Sequence, residues 1–194
     1  MGKIIIKSPT RVDLAGGTLD MWPLYAFIGK AVTVNVAIDV YSEVELTASA
    51  DQSLVIESLD LNYKKTFKDI KAVLTATDSE LSFYKPIIEF FQPQMGFTLK
   101  TKSQSPVGAG LGGSSSLMIS ALKAFYQLLD LKLPSSHDIV HLAHNLEAQM
   151  LRTPTGTQDY YPAFSGGLNI LNYHPMGIDQ KVLKVENSPL KNNF

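Results

Sequence analysis

One eleven-residue segment constrains this chain more than any other: Pro106-Val107-Gly108-Ala109-Gly110-Leu111-Gly112-Gly113-Ser114-Ser115-Ser116. It lies between a strand-like run, Gly96 to Thr101, and a long apolar-periodic stretch. Four glycines without Cβ atoms let backbone N–H groups converge on a ligand, including through φ > 0 conformations. The N-terminus of a following helix adds unpaired N–H groups and a partial positive charge, so the segment reads as an anion cradle. Hydroxyls of Ser114 to Ser116 can donate to phosphate oxygens or ligate a hard cation. A fold that carries such a loop must place a strand and a helix end to end around it. A flexible Gly-Ser turn with an ordinary cap is the plainer alternative.

Two well-known phosphate loops are distinguishable from this one. A Walker A loop needs Lys before its Ser or Thr, and position 113 is Gly. Gly108, Gly110 and Gly113 do have G-x-G-x-x-G spacing, and Asp130 follows Gly110 by twenty residues. Asp130, however, ends a helical pattern where a dinucleotide fold would place its acid after a second strand. An oxidoreductase reading therefore rests on glycine spacing alone.

The rest of the chain reads as one α+β unit. Lys3 to Lys7 is a short strand ended by Ser8-Pro9. Ala31 to Asp39 alternates Val32, Val34, Val36 and Ile38 against smaller or polar residues, the period of a half-buried strand. Tyr41 to Ala48 sets Val44, Leu46 and Ala48 against Glu43, Glu45 and Thr47, and Leu54 to Glu57 can pair with it. Ser82 to Gln92 has helix-like spacing. Beyond the loop, Leu117, Ala121, Leu122, Phe125, Leu128 and Leu129 form one face of a long helix. Pro134-Ser135-Ser136 opens another, with the stripe Ile139, Leu142, Ala143, Leu146 and Met150, interrupted by Pro154 and Gly156. Gly167 to Asn172 and Lys181 to Glu186 read as two final strands, so strands gather on one side of a helical layer.

Composition narrows the chemistry. With 194 residues, 45% hydrophobic, the chain can bury a sizeable core. Seventeen Lys and Arg against eighteen Asp and Glu, with no basic run, argue against nucleic acid or an anionic membrane as partner. No cysteine is present, which excludes thiolate metal sites and cysteine nucleophiles. No signal-peptide core and no apolar stretch of about 18 residues occurs, so a cytoplasmic location is expected.

Two further segments carry candidate chemistry. In Ser8-Pro9-Thr10-Arg11-Val12-Asp13-Leu14-Ala15-Gly16-Gly17-Thr18-Leu19-Asp20, a guanidinium and a carboxylate flank a Gly-Gly turn that can approach a polyol. A surface turn with a local ion pair is the alternative. Glu147 sits at the shoulder of the second helix's stripe, where a half-buried carboxylate suits a metal ligand or an ion pair. Asp159, in Thr155-Gly156-Thr157-Gln158-Asp159-Tyr160-Tyr161, occupies a turn that can orient a reacting hydroxyl. His137 and His141 have the spacing of a zinc pair, but they share a face with His144 opposite the apolar stripe and read as solvated.

Taken together, SPTRVDLAGGTLD, PVGAGLGGSSS and GTQDYYPAFSGGLN, in that order, resemble the three motifs of the GHMP kinase superfamily. Within it the Ala-Gly-Gly and Gly-x-Gln-Asp-x-Tyr patterns are most similar to the heptose-phosphate kinases, with fucokinases close behind. Gly17-Thr18 stand where galactokinases have Glu-His, which argues against galactose, and Tyr160 stands where heptose kinases usually have a second Gln. The resemblance implies a ribosomal-S5-domain-2-like two-layer α+β fold with a left-handed βαβ unit over residues 1–194, the family's N-terminal ATP-binding domain. It implies ATP phosphates on Pro106, Gly108, Ala109, Gly110, Leu111, Gly112, Gly113, Ser114 and Ser115, and Mg²⁺ on Ser114 and Glu147. Asp159 would face the acceptor hydroxyl, with Arg11 fixing it and neutralising charge, and Gly17, Thr18 and Asp20 would bind a sugar or sugar phosphate. Such kinases usually carry a second, C-terminal domain, which is expected to be absent from this chain; the chain is then either a fragment of a longer protein or a natural half-kinase, with a C-terminal domain or an oligomer as its possible partner. A non-catalytic nucleotide- or sugar-binding module with the same fold is the rival expectation.

Overall fold

The computed structural model describes residues 2–184. Its elements run β1 (Ile4–Ala15), α1 (Leu24–Ile28), β2 (Ala31–Ala48), β3 (Leu54–Ser58), β4 (Tyr63–Phe67), α2 (Ile70–Thr75), a 3₁₀ turn (Ser79–Ser82), α3 (Tyr84–Phe91), β5 (Phe97–Ser103), α4 (Gly113–Leu128), α5 (Ser136–Leu151), α6 (Tyr160–Ser165), β6 (Leu168–His174) and β7 (Gly177–Leu183). One mixed sheet holds the strands in the order β4-β3-β5-β2-β6-β7, with β1 also paired to β2. All pairs are antiparallel except β3 with β5, whose connection runs through β4, α2 and α3. The expected α+β architecture is present.

β2 organises the sheet. The valine run and the Glu-alternating run, expected as two strands, are one strand of 18 residues. β1 pairs along most of it, β6 along residues 31–36 and β5 along residues 42–48. β1 also continues past Ser8-Pro9 to Ala15. Between Pro9 and Thr10 it advances one residue while β2 advances three, from Tyr41 to Ile38. Proline lacks an N–H for the ladder, so it sits at this bulge and does not end the strand.

The bulge also reverses which side chains face inward. Beyond it Val44 and Leu46 are fully buried, as their alternation requires. Before it the buried residues are Ala31, Thr33 and Asn35, while Val32 is 43% exposed and Val34, Val36 and Ile38 lie half-buried on the opposite face. The valine-bearing face of this stretch is therefore the outer one. The inner face is polar there because it backs the loop before α6, where Asn35 Nδ2 donates to the Gln158 carbonyl at 3.2 Å.

α4 lies across the sheet and carries the core. Met118, Ile119, Ala121, Leu122, Ala124 and Phe125 are at most 1% exposed. Phe125 stacks on Phe91 (5.2 Å between ring centres) and meets Phe97 edge-on (5.3 Å). Burying one such ring contributes about 2–3 kcal/mol. Towards its N-terminus the helix–sheet seam becomes polar. Ser116 Oγ donates to Ser8 O (2.7 Å), Ser120 Oγ to Ser42 O (3.2 Å) and Ser42 Oγ to Gly113 O (3.1 Å). α5 packs beside α4 and starts as expected, with Ser135 Oγ accepting the Asp138 N–H at 3.2 Å. Four helices or strands have no counterpart in the sequence reading, α1, β4, α2 and α6, and neither has the 3₁₀ turn. The expected strand over Lys181 to Glu186 is β7 as far as Leu183, and its last two residues lie outside the described ones.

Candidate active site

The glycine-rich segment joins β5 to α4, as its position between strand and helix predicted. Gly108, Gly110 and Gly112 have φ of 78°, 69° and 70°, the left-handed region in which a side chain is strained. A Cβ at 108 or 110 would meet nothing within 4 Å, so conformation and not space demands glycine there. Gly112 is the N-cap of α4 and supplies no side chain to its orphan N–H groups. The first turn of a sixteen-residue helix is thus left open towards the loop. Pro106 through Ser115 all line a cleft of about 700 Å³, together with Arg11, Thr18, Asp20, Glu147, Gln158 and Asp159.

Arg11 joins the loop to the opposite wall. Its Nε and Nη2 donate to Asp159 Oδ1 at 2.8 and 2.6 Å, and Nη1 donates to the Gly110 carbonyl. Its own N–H donates to Leu111 O at 3.0 Å. Among the described residues no hydrogen bond reaches Asp159 Oδ2, which stands 3.2 Å from where a Cβ of residue 112 would be. One carboxylate oxygen is held by Arg11 and the other has no hydrogen-bond partner among these residues. Burial pushes the Asp159 carboxyl above its ordinary value; Arg11 opposes the shift, while the Asp20 and Glu147 charges add to it.

Glu147 is buried on α5 and faces the start of α4. Ser114 Oγ donates to its Oε1 at 2.6 Å, and Ser115 Oγ and the Tyr160 hydroxyl donate to Oε2. Burial, then the charge of Glu147, pushes the Tyr160 phenol up, so Tyr160 stays a donor. Ser114 and Glu147 offer hard oxygen donors, which suit Mg²⁺. Among the described residues no group of three or more His, Cys, Asp or Glu could hold a metal ion, so a cation here needs further oxygens from a bound ligand.

The other candidates divide. Thr18, at φ 75°, and Asp20 line the cleft, whereas Gly17 is pressed against Asp13, where a Cβ would overlap its Oδ2. Asp20 is only 2% exposed, and its Oδ2 accepts the Gln158 N–H at 3.0 Å. His137 and His141 are exposed, 4.4 Å apart between ring centres, as the solvated reading has it. His144 departs from it: the side chain is half-buried and Nε2 donates to Thr155 O at 3.0 Å. Asp130, at φ 53°, follows the far end of α4 and not a strand, so the described residues do not form the dinucleotide arrangement. Tyr160, Asn35 and Gln158 were missed as site residues. Asn35 was detectable, since an amide within a valine run marks a strand face that needs a polar partner.

The family described as "GHMP kinases N terminal domain" matches residues 78–167. The chain is 31% identical over 179 residues to D-glycero-alpha-D-manno-heptose 7-phosphate kinase of Campylobacter jejuni, covering 90% of this chain and 52% of that protein. It is 28% identical over 171 residues to galactokinase of Pyrococcus furiosus, covering 86% and 45%. A crystal structure of a D-glycero-D-manno-heptose 1-phosphate kinase from Bacteroides thetaiotaomicron superposes with a TM-score of 0.81 at 26% identity, covering 93% of this chain and 60% of that one. The chain thus spans about half the length of the curated relatives it matches. Residues 78–167 thus match the GHMP kinase N-terminal domain family, and the elements flanking them complete the fold seen in the heptose 1-phosphate kinase structure.

Proposed function

We propose that this chain is the nucleotide-binding half of an ATP- and Mg²⁺-dependent kinase acting on a hydroxyl of a sugar or sugar phosphate. The observation that carries this reading is the Arg11 bridge: one guanidinium ties the glycine-rich loop to Asp159 across a single cleft. The relatives named above, heptose phosphate kinase first among them, support the acceptor class.

In this reading the triphosphate lies on the N–H groups of residues 112–115, held by the α4 N-terminus. Leu61, Phe83 and Val107 line the same cleft and offer the base an apolar seat. Ser114 and Glu147 would hold Mg²⁺, which would neutralise charge on the phosphates. Asp159 Oδ2 accepts the acceptor's hydroxyl hydrogen and aims its oxygen at the γ-phosphorus. The new O–P bond forms as the bond to the β–γ bridging oxygen breaks, ADP departs, and the hydroxyl proton passes to Asp159 and then to water. Arg11 keeps Asp159 in line and stabilises charge on the transferring group. Thr18 and Asp20 border the acceptor side. Such transfer works best out of water, and the further length of the relatives supports a second domain or partner that closes this side.

Calorimetric titration with a non-hydrolysable ATP analogue, with and without Mg²⁺ and alongside NADH, tests the reading. Magnesium-dependent binding of the analogue without NADH binding is expected. Binding of NADH alone, or of neither, overturns it.

A further inference from the structure

Asp159 is aimed by more than Arg11. The preceding residue, Gln158, is gripped on both sides of its backbone. Its N–H donates to Asp20 Oδ2 at 3.0 Å, and its carbonyl accepts from Asn35 Nδ2 at 3.2 Å. The two gripping side chains come from separate parts of the chain, the turn after β1 and the inner face of β2, and both are buried. The peptide that accepts from Asn35 is the one joining Gln158 to Asp159, so it sets where the Asp159 side chain starts.

The surroundings are shaped for this contact. Residue 156 has no room for a side chain: its Cβ would lie 2.6 Å from Asp20 Cγ and overlap the carboxylate. Gly156 is thus required by the seat of Asp20. On the Asn35 side the strand gives up apolar inward residues, with Thr33 and Asn35 both fully buried. A buried amide and a buried carboxylate are costly unless each has a partner. Here Asn35 Nδ2 and Asp20 Oδ2 both find one on the same residue.

We propose that Asp20 and Asn35 are positioning residues that clamp Gln158 and thereby hold Asp159 in register with Arg11. Asp20 acts on the reaction through the backbone of Gln158, as a hydrogen-bond acceptor and not as a free sugar ligand. Its consequence for turnover rests on the kinase reading above; the clamp itself does not.

The test uses the full chain and two readouts. In ¹⁵N NMR the Arg11 Nε–H, identified by its loss in Arg11→Lys, reports the pairing with Asp159. Wild type and Asp20→Asn keep it slowly exchanging, because an asparagine carbonyl still accepts the Gln158 N–H. Asp20→Ala and Asn35→Ala exchange it roughly tenfold faster or more, while the Leu99 amide in β5 stays protected. An unchanged Arg11 signal in Asp20→Ala overturns the clamp. So does an Asp20→Asn that behaves like Asp20→Ala, since charge and not the bond would then matter. Should Asp20→Ala fail to fold, Asn35→Ala decides by the same signal, an unchanged one overturning the clamp. In turnover assays with a heptose phosphate, Asp20→Ala lowers kcat with KM for ATP unchanged, and Asp20→Asn restores it. A rise in sugar KM in both Asp20 variants with kcat intact overturns the positioning role. The expected NMR pattern in a chain that binds no ATP analogue leaves the clamp standing and removes the kinase reading instead.

Discussion

At the scale of single residues, the site depends on how each carboxylate is paired. Asp159 gives one oxygen to Arg11 and keeps the other free, while Glu147 collects three hydroxyl donors. Their substitutions should therefore fail differently. Asp159→Asn keeps the size of the side chain and removes the base, so turnover should drop about 10²–10⁴-fold with affinity for the ATP analogue unchanged; loss of nucleotide binding instead would place Asp159 on the other side of the cleft. Ser114→Ala removes a hydroxyl from the oxygen pair at the helix start. It should weaken binding of the analogue with Mg²⁺ about tenfold and leave metal-free binding almost unaltered, measured by the same calorimetry. Acid dependence follows from the raised Asp159 carboxyl. In the proposed reaction Asp159 works as a carboxylate, so turnover should fall as pH drops through a value above the ordinary 3.8 of a free aspartate. The folded state binds this proton more tightly than the unfolded chain. Its contribution therefore disfavours the fold as pH rises through that window, opposite in sign to a salt-bridged acid with a lowered value.

At the scale of elements, local signals were legible and distant ones were not. The loop between β5 and α4, the Ser135 cap and the interruption after α5 each depend on residues close in sequence, and each stands where the pattern put it. Arg11 and Asp159 also proved to be partners, but only the resemblance of ordered motifs had brought them together, across 148 residues. The inner face of β2 shows why the remainder was hidden. Alternation alone marks two faces without saying which is covered, and here a polar contact between Asn35 and Gln158, 123 residues apart, selects the less apolar one. Lys123 on α4 illustrates the same point. It falls inside an apolar stretch, and its Nζ donates to Phe164 O at 3.1 Å and lies 4.4 Å from that ring's centre. Burial pulls the ammonium down to about 8 from 10.5. The unfolded chain then holds this proton more tightly. From this group stability should rise as pH increases from about 8 towards 10.5, and Lys123→Met should flatten that rise in denaturant melts taken at several pH values.

At the scale of the whole molecule, the cleft is where the separate parts of the fold meet. β1 supplies Arg11, the loop before α4 supplies the glycines, α5 supplies Glu147, and the start of α6 supplies Asp159. A ligand seated in this cleft binds only the folded chain, so its binding free energy adds directly to stability. At about one hundred times its dissociation constant a ligand contributes about 2.7 kcal/mol. For a domain of this size each kcal/mol raises Tm by about 2–4 °C. Saturating ATP analogue with Mg²⁺ should thus raise the melting temperature of the full chain by roughly 5–10 °C. Ser114→Ala should lose the part of the shift that depends on Mg²⁺. Asp159→Asn should retain the whole of it, because in the proposed arrangement the nucleotide touches the loop and the α4 terminus while Asp159 Oδ2 serves the acceptor. A shift lost in Asp159→Asn but kept in Ser114→Ala would reverse the assignment of the two walls. The pair of variants therefore reads the polarity of the cleft from stability alone, without any turnover and without knowing which sugar is the acceptor.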